Sequence, residues 1–466
     1  MATYKIPRLV FAAAHSGSGK TTVTMGIIAA LKRQGMHVQA YKIGPDYIDP
    51  GYHKIASGKP VHNLDTWLTP EKELMEFFTK TSKGADIAII EGVMGLYDGG
   101  KNGISSTAEI AKKLKAPVIL VLDVKSMGDS AAAIALGFKN YDLEIDIAGV
   151  ILNRVASQSH ESMIRQAMSK IGISVIGVVY RDTALIIPER HLGLTPTTEN
   201  EMTNIVDIIS KTIASEINLT QMMAMAYTAK EIELEEVSNL KTKKQCPIKI
   251  GVASDEAFSF YYEESLSVLE EKGAEIIPFS PLKDEAIPCV DGLIFGGGFP
   301  EMFAGQLANN RKMKKSIEMA NAEGMPIYAE CGGFMYLTES LCDFSNQIYD
   351  MVGLIPAVCQ INKNLQTVGY VEGECLSDNL IAQKGDLLRG HEFHFSSTEP
   401  TVDFPWAFIM KKVRTGVKYY AGYAQNNLLA SYLHLHFAGN KELAENFIKK
   451  CETFSILKDK KLRQIK

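Results

Sequence analysis

The chain has 466 residues, and 46% of them are hydrophobic. That length exceeds the size at which one hydrophobic core usually keeps growing, so two domains of roughly 200 residues each are expected. The formal net charge is −5. This charge argues against a nucleic-acid partner, because proteins that bind nucleic acid attract its phosphates with an excess of Lys and Arg.

The sequence also indicates where the protein is located. No stretch approaches the ~20 apolar residues that are needed to span a bilayer, and residues 1–7 lack the apolar core of a signal peptide. The seven cysteines are scattered without a paired Cys-x-x-Cys spacing. These features predict a cytoplasmic protein with reduced thiols and no membrane partner.

The first half of the chain alternates short, continuously apolar runs with longer stretches of helical pattern. Apolar runs of this kind are typical of strands that are buried on both faces of a parallel sheet. The predicted fold is therefore α/β and doubly wound, and ligands of such sheets bind at the carboxyl ends of the strands. Strands are predicted at residues 9–13, 38–43, 87–91, 118–124, 148–153 and 173–179.

A second α/β series follows a polar, helical stretch, and no internal repeat relates the two series. We expect a first domain at residues 1–198, a helical connector at 199–245 and a second domain at 246–466. Strands of the second domain are predicted at residues 248–253, 275–279, 292–295 and 326–330.

The first predicted strand leads into Ser16-Gly-Ser-Gly-Lys-Thr-Thr22 and then into a helical pattern. This is the setting of a phosphate-binding loop, in which backbone N–H groups and a helix N-terminus face the anion and a lysine neutralises it. The full pattern G-x-x-x-x-G-K-[ST] begins with glycine, whereas this chain has Ala14. The residues expected to bind ATP here are Gly17, Ser18, Gly19, Lys20, Thr21 and Thr22.

Two acidic clusters follow other predicted strands, Lys42-Ile-Gly-Pro-Asp46-Tyr-Ile-Asp49 and Glu91-Gly-Val-Met-Gly-Leu-Tyr-Asp98. Magnesium prefers oxygen ligands and usually accepts one or two carboxylates. Glu91 ends an apolar strand, where a charge is costly unless a metal or donors compensate it. Glu91 is therefore the better metal candidate, while Asp49 and Asp98 could equally be turn-forming residues beside Pro and Gly.

In the second half, Pro326-Ile-Tyr-Ala-Glu-Cys-Gly-Gly-Phe-Met335 predicts a strand, a sharp turn and a helix. This arrangement lifts the sulfur of Cys331 above the sheet, and the helix N-terminus favours its thiolate. Gly332 is a candidate oxyanion donor, and the glycine loop that contains Gly297 and Gly298 could supply the second donor. A buried structural thiol is the alternative for Cys331.

Histidines downstream provide candidates for the catalytic base. His434 and His436 would lie on the same face of one strand, so the residues alone do not choose between them. His391 and His394 have a spacing that could suggest a metal site. Without a third ligand, substrate contact or packing is the preferred interpretation.

Four motifs in order resemble the cobyrinic acid a,c-diamide synthase family: the phosphate loop, the two acidic clusters and Ile187-Pro-Glu-Arg-His-Leu-Gly-Leu194. That family joins a dethiobiotin-synthetase-like, P-loop ATP domain to a flavodoxin-like class I glutamine amidotransferase domain. The resemblance implies roles for further residues. It assigns Mg²⁺ to Thr21, Asp46 and Glu91, the nucleotide base to Asn153, and the surroundings of the acceptor carboxylate to Asp49, Asp98, Arg190 and His191. In such a reaction Lys20 and Lys42 would spread the charge of the transferred phosphoryl group.

The resemblance also favours His434 as the base of the amidotransferase domain. Class I enzymes often carry a glutamate two residues beyond that histidine, and this chain has His436 there. The third role of a Cys-His-Glu triad is therefore left open.

The activity that the resemblance implies is the ATP- and glutamine-dependent amidation of the a- and c-carboxylates of cobyrinate through acyl phosphates. Nickel-sirohydrochlorin or another tetrapyrrole is the alternative acceptor, and cobyric acid synthase is a related alternative. A partner-binding switch ATPase and a metal chelatase that uses His391 and His394 are alternatives of other classes. Cobyrinate, L-glutamine and ATP are the expected partners, and a homodimer is one option that the sequence leaves open.

Overall fold

A computed structural model describes residues 2–182, 185, 199–235 and 247–465. The chain divides into two compact units, Met1–Ser238 and Asn239–Lys466. Within the ranges described, no helix is both long and apolar enough to cross a bilayer.

The first unit alternates strands and helices along the chain. Its elements are β1 (Ala2–Tyr4), β2 (Arg8–Ala13), α1 (Lys20–Arg33), β3 (Val38–Ile43), α2 (Asp49–Ser57), β4 (His62–Leu64), α3 (Glu71–Thr81), β5 (Ile87–Glu91), α4 (Thr107–Lys113), β6 (Val118–Asp123), α5 (Ser130–Tyr141), β7 (Ile147–Val155), α6 (Gln158–Lys170), β8 (Val175–Tyr180), α7 (Glu199–Glu216), α8 (Leu219–Ala226) and β9 (Ile232–Leu234).

Seven of these strands form one parallel sheet in the order β4-β3-β5-β2-β6-β7-β8. The six strands predicted from apolar runs are all present, which confirms the α/β fold. The register places Glu91 beside Lys42 on one neighbouring strand and beside Phe11 on the other. The carboxyl end of β5 therefore lies next to the loop that follows β2.

The stretch expected to form a helical connector packs on the first unit. Helix α7 lies against α1 at Gly26, where an added methyl group would come within 2.5 Å of Ile213 Cγ1. Strand β9 pairs with β1, and the buried guanidinium of Arg8 donates to the carbonyl oxygen of Lys230. The structure therefore assigns the described part of residues 199–235 to the first unit, a different division from the expected boundary at residue 198.

The second unit contains more strands than the sequence predicted. Its elements are β10 (Ile248–Ala253), α9 (Glu263–Glu271), β11 (Ala274–Phe279), β12 (Gly292–Phe295), α10 (Ala304–Asn309), α11 (Arg311–Ala322), β13 (Ile327–Glu330), α12 (Gly332–Leu337), β14 (Thr338–Cys342), β15 (Ile348–Asp350), β16 (Ile355–Ile361), β17 (Thr367–Cys375), β18 (Leu387–His394), β19 (Ser396–Pro400), β20 (Trp406–Lys412), β21 (Lys418–Gln425), β22 (Leu428–Ser431), β23 (His434–Leu435) and α13 (Lys441–Ile465).

The main sheet of this unit begins with five parallel strands in the order β11-β10-β12-β13-β22. That order is the flavodoxin-like one, with ligands expected at the carboxyl ends of the strands. Five antiparallel pairings extend the sheet through β21, β20, β17, β18 and β23. A second sheet, β15-β14-β16-β19, completes the unit. The α/β class is confirmed, with a parallel half that carries the glycine loop and Cys331.

Candidate active sites

The loop after β2 has the backbone geometry of a phosphate-binding loop. Gly17 and Gly19 have φ angles of 80° and 84°, which glycine adopts without strain. Ser18 Oγ donates to the carbonyl oxygen of His15 over 2.8 Å, and Lys20 begins α1. Ala14 does not adopt a positive φ. Alanine therefore fits the backbone at the position where the full motif has glycine.

Glu91 is fully buried at the end of β5 and is surrounded by donors. Thr21 Oγ1 donates to Glu91 Oε1 over 2.7 Å, and His53 Nε2 contacts Glu91 Oε2. Lys42 Nζ and Lys20 Nζ lie 3.5 and 3.9 Å from Glu91 Oε1. Burial alone would raise the pKa of Glu91, but Lys42, His53 and Lys20 outweigh it and lower the pKa. Glu91 is therefore an anion held among cations.

Lys42 links this glutamate to the second acidic cluster. Its Nζ lies 2.9 Å from Asp49 Oδ2 and 3.7 Å from Asp46 Oδ2, and it donates to the carbonyl oxygen of Gly92 over 2.9 Å. Burial alone would lower the pKa of Lys42, but the carboxylates of Glu91, Asp49 and Asp46 raise it. Burial and the charge of Asp46 raise the pKa of Asp49 to about 7, against the opposing effect of Lys42.

The oxygen atoms in this cluster fit a hard divalent cation. Thr21 Oγ1 lies 2.7 Å from Glu91 Oε1 and 3.3 Å from Asp49 Oδ2. Asp46 instead uses Oδ1 to accept from the backbone nitrogens of Ile48 and Asp49, at 2.8 and 3.1 Å. A hydroxyl and one or two carboxylates beside bound phosphate are the ligands that Mg²⁺ prefers. The geometry thus brings Asp49, expected near the acceptor, within reach of Thr21, and gives Asp46 a role in shaping the turn.

The remaining candidates of the first unit lie in several places. Asn153 Nδ2 donates to the carbonyl oxygen of Ser18 over 2.8 Å, and a methyl group on Gly19 would lie 2.2 Å from that nitrogen. Asn153 therefore supports the loop directly. Asp98 is exposed and accepts from the backbone nitrogen of Gly95 over 3.0 Å. Thr22 follows Thr21 in α1, whereas Arg190 and His191 lie outside the described residues.

Cys331 lies at a sharp turn between β13 and α12 in the second unit. Its φ and ψ are 47° and −103°, values that an L-residue rarely adopts and that cost about 1–3 kcal/mol. Its backbone nitrogen donates to the carbonyl oxygen of Ser431 over 2.7 Å, which ties the turn to the neighbouring β22. Such strain, held by the surrounding strands, is typical of a nucleophile lifted above its sheet.

The structure distinguishes the two downstream histidines. The His434 side chain interacts with Cys331 and its Nδ1 lies 3.3 Å from Glu330 Oε2, while His436 Nε2 lies 3.8 Å from Glu264 Oε2. Burial alone would lower the pKa of His434, but Cys331 and Glu330 outweigh it and raise the pKa to about 10. His434 is therefore the histidine that can exchange a proton with the sulfur.

Glu330 is a residue that the sequence reasoning missed. Its Oε2 lies 3.3 Å from His434 Nδ1, while its Oε1 accepts from the Tyr328 hydroxyl and, over 3.1 Å, from the backbone nitrogen of Leu435. The signal was available, because Glu330 ends an apolar buried strand as Glu91 does. The same reasoning about a costly buried charge would have identified both residues.

The glycine loop after β12 packs against the turn at Cys331. The backbone nitrogen of Gly298 lies 3.0 Å from where a methyl group on Gly332 would be, and a methyl group on Gly297 would lie 2.9 Å from His434 Cε1. The Tyr261 hydroxyl accepts from the backbone nitrogen of Gly296 over 2.8 Å, which anchors the loop. The two backbone N–H groups expected to form an oxyanion hole therefore belong to adjoining segments.

His391 and His394 pack around His434 and its neighbours. His391 is the cross-strand partner of His434, with ring centroids 5.1 Å apart, and His394 stacks on Tyr432 at 3.9 Å. Burial is the main cause that lowers the pKa of His394 to about 4 and that of His391 well below its usual value. Among the residues whose side chains are described, no group of three or more His, Cys, Asp or Glu is arranged to hold a metal.

The cysteines other than Cys331 form no disulfide in the described ranges, where Cys289, Cys342, Cys359, Cys375 and Cys451 are all free thiols. Cys331, in contrast, interacts with His434, a histidine that also contacts a carboxylate. These contacts distinguish Cys331 from the other thiols described.

Comparisons with known proteins match both parts of the chain. Residues 9–194 match the CobQ/CobB/MinD/ParA nucleotide binding domain, and residues 249–442 match the CobB/CobQ-like glutamine amidotransferase domain. The cobyrinate a,c-diamide synthase of Dehalococcoides mccartyi (strain CBDB1) is 44% identical over 458 residues, which cover 96% of this chain and 99% of that protein. The chain belongs to the cobyrinate a,c-diamide synthase family.

Further members of the cobyrinate a,c-diamide synthase family show similar agreement. The protein of that name from Listeria monocytogenes serotype 4b (strain F2365) is 43% identical over 448 residues, covering 93% of this chain and 97% of its own length. The one from Caldanaerobacter subterraneus subsp. tengcongensis is 40% identical over 449 residues, covering 96% and 98%. Membership confirms the expected enzyme class, an amide-forming ligase with glutamine as nitrogen donor.

Proposed function

We propose that the chain catalyses the ATP- and glutamine-dependent amidation of the a- and c-side-chain carboxylates of cobyrinate, in cobalamin biosynthesis. The observation that carries the proposal is the pairing, in one chain, of a phosphate loop beside Glu91 with a strained cysteine that interacts with His434. The names of the relatives supply the acceptor. An amide-forming ligase needs both an activated acyl group and a source of ammonia, and the two sites provide the chemistry for each.

The second unit would release ammonia from glutamine. The Cys331 sulfur attacks the side-chain amide carbon, and the resulting oxyanion accepts hydrogen bonds from the backbone N–H groups of Gly332 and of Gly297 or Gly298. His434 gives its proton to the departing nitrogen, so that ammonia leaves and a thioester forms. His434 then takes a proton from water, which attacks the thioester. Glutamate leaves, and the Cys331 sulfur is restored.

The first unit would activate the acceptor. A carboxylate oxygen of the acceptor attacks the γ-phosphorus of ATP, the bond to the bridging oxygen of ADP breaks, and an acyl phosphate forms. Ammonia then attacks the acyl carbon and loses a proton as phosphate leaves, which completes the amide. Lys20 and Lys42 spread the negative charge of the transferred group, the main contribution of a protein to such a transfer.

A bound Mg²⁺ would neutralise charge on the phosphoryl oxygens, and Thr21 and Glu91, with Asp49 or Asp46, are the residues that fit it. We propose that Asn153 contacts the nucleotide base as well as the loop, since its side chain lies against Ser18 and Gly19. Asp98, Arg190 and His191 remain the residues proposed for the acceptor carboxylate.

The test measures the mass of the tetrapyrrole pigment that is offered as the acceptor. Wild-type protein with ATP, Mg²⁺, glutamine and cobyrinate should convert two carboxylates to amides, whereas nickel-sirohydrochlorin offered in the same way should remain unchanged. Amidation of the nickel pigment in place of cobyrinate would reassign the acceptor. Pigment that takes up metal without consuming glutamine would instead indicate a chelatase.

The proposal also predicts that the two half-reactions separate. Cys331→Ala should lose glutamine-dependent amidation entirely, because no other nucleophile replaces the sulfur. It should retain amidation with added ammonium chloride, because the phosphate loop belongs to the other unit. Cys289→Ala, at an exposed cysteine, is the matched control. Loss of both activities in Cys331→Ala, with Cys289→Ala active, would contradict the assignment of separate sites.

A further inference from the structure

The position where a class I glutamine amidotransferase often carries its third triad residue does not serve that role here. Two residues beyond His434 the chain has His436, whose Nε2 lies 3.8 Å from Glu264 Oε2 and whose ring lies 4.6 Å from that of Tyr262. The His436 side chain is therefore engaged with α9 and the residue before it. If His434 is oriented by a carboxylate, the carboxylate must come from another element.

Glu330 provides such a carboxylate at the end of β13. Its Oε2 lies 3.3 Å from His434 Nδ1, and three donors from three positions fix the group: the Tyr328 hydroxyl, the backbone nitrogen of Leu435 and His434 itself. The side chain is 11% exposed. A carboxylate that is this buried and this fully bonded has one orientation, so it can fix the orientation of the imidazole.

The turn at Cys331 explains how two consecutive residues reach one histidine. In an extended strand, consecutive side chains point to opposite faces. At Cys331 the backbone leaves the extended conformation, with φ at 47° and ψ at −103°. Glu330 and Cys331 thus both act on one imidazole, and because the Glu330 carboxylate lies at Nδ1, the other ring nitrogen, Nε2, is free of that contact and can serve the sulfur.

We infer that Glu330 is the positioning carboxylate of the amidotransferase site and completes a Cys331–His434–Glu330 triad whose acid directly precedes the nucleophile. Glu330 holds the proton of His434 on Nδ1 and stabilises the imidazolium that faces the thiolate. It does not touch glutamine and does not itself gain a proton. The inference rests on the proposed function, because it assigns a role within the glutamine half-reaction.

The test compares three variants in the intact chain. Glu330→Gln keeps the size of the side chain and removes its charge, and Glu330→Asp keeps the charge but withdraws it from His434. Glu392→Gln is the matched control: Glu392 is also buried, also accepts from a tyrosine hydroxyl, that of Tyr419, and lies in the same unit. Each variant is assayed for glutamine hydrolysis and for amidation with ammonium chloride.

We expect Glu330→Gln to lower kcat for glutamine hydrolysis on the order of 10²-fold, with KM almost unchanged. The loss is smaller than the ~10⁴-fold seen for the equivalent change in a serine-protease triad, since a thiol needs less help to ionise. Glu330→Asp should recover part of the rate. Glu392→Gln should match the wild type, and all three variants should retain amidation with ammonium.

A second readout separates positioning from mere folding. The alkylation of Cys331 by iodoacetamide, measured by mass spectrometry across pH, reports how well the imidazolium stabilises the thiolate. Glu330→Gln should slow alkylation near neutral pH and move the profile to higher pH. The groups that face His434 are Cys331, Glu330 and His391, with His394 and Glu392 at longer range, and only Glu330 loses its charge in this variant.

The outcomes distinguish the inference from the function on which it rests. If the wild type does not hydrolyse glutamine, the proposed function fails. If the wild type is active and Glu330→Gln matches Glu392→Gln in rate and in alkylation profile, the triad is overturned. Should Glu330→Gln not fold, Glu330→Asp decides, because an unshifted alkylation profile in that variant contradicts a positioning role.

Discussion

Glu91 in the first unit and Glu330 in the second occupy the same place in their sheets. Each is the last residue of a buried parallel strand, and each is almost inaccessible to solvent, at 0% and 9% exposed. Their neighbours differ. Glu91 lies among Lys42, Lys20 and His53, whereas Glu330 accepts from a tyrosine hydroxyl and a backbone N–H besides its histidine.

This difference matches the chemistry that each site is proposed to perform. A site that handles phosphate and a divalent cation must tolerate large changes in charge, and several lysine and carboxylate groups close together can balance them. A site that moves one proton between sulfur and nitrogen needs a fixed geometry, which neutral hydrogen bonds from the protein supply. One fold position therefore serves charge balance in one unit and orientation in the other.

The largest effect is expected at His434, the histidine that Glu330 contacts. We expect His434→Asn to lower glutamine hydrolysis on the order of 10²–10⁴-fold, the usual contribution of a general acid–base residue. His436→Asn is the matched control, because the same substitution two residues away removes a ring that lies against Tyr262. Steady-state glutamate release measures both variants. A larger loss in His436→Asn would reassign the base and detach Glu330 from catalysis.

The next largest effect is expected at Glu91. Glu91→Gln keeps the acceptor for Thr21 and removes the charge that Lys20 and Lys42 surround. We expect ATP-dependent amidation to fall on the order of 10²–10³-fold, as when one preorganised electrostatic group is lost from an active site. Glutamine hydrolysis should persist and serves as the internal control for folding. ADP formation that proceeds at the wild-type rate would remove Glu91 from the phosphoryl-transfer site.

The sequence predicted the parallel strands because both of their faces are buried. Strand β2 is buried at every position, while β16, which has one parallel and one antiparallel partner in the smaller sheet, alternates between buried and partly exposed positions. Glu91 and Cys331 were found by their place at strand ends. Glu330 also ends a buried strand, but strict alternation would place it on the face opposite Cys331, so local sequence does not indicate that both residues reach one histidine. The positive φ at Cys331 that brings them together is not a property of composition.

His434 and His436 show a second limit of prediction from sequence, because residues two apart on a strand lie on the same face. They are distinguished by their contacts: His434 lies at Glu330, whereas His436 packs against Glu264 and Tyr262. In the same way, the turn formed by Asp46 decides which aspartate reaches Thr21. Long-range contacts of this kind depend on how elements pack, so they follow from the fold and not from local sequence.

The smallest expected effect is on the pH dependence of stability, and it tests whether the folded second unit favours an uncharged His394. Burial holds His394 neutral by lowering its pKa to about 4, whereas an unfolded histidine has a pKa near 6.5. The unfolded state therefore gains a proton first as pH falls, so stability that is fully present above pH ~6.5 is lost between ~6.5 and ~4, by at most about 3 kcal/mol.

His394→Phe retains a ring beside Tyr432 and cannot titrate. Its melting temperature should fall less than that of the wild type between pH 7.5 and pH 5. Equal falls would mean that His394 binds a proton as readily in the folded protein as in the unfolded one, and would contradict the lowered pKa.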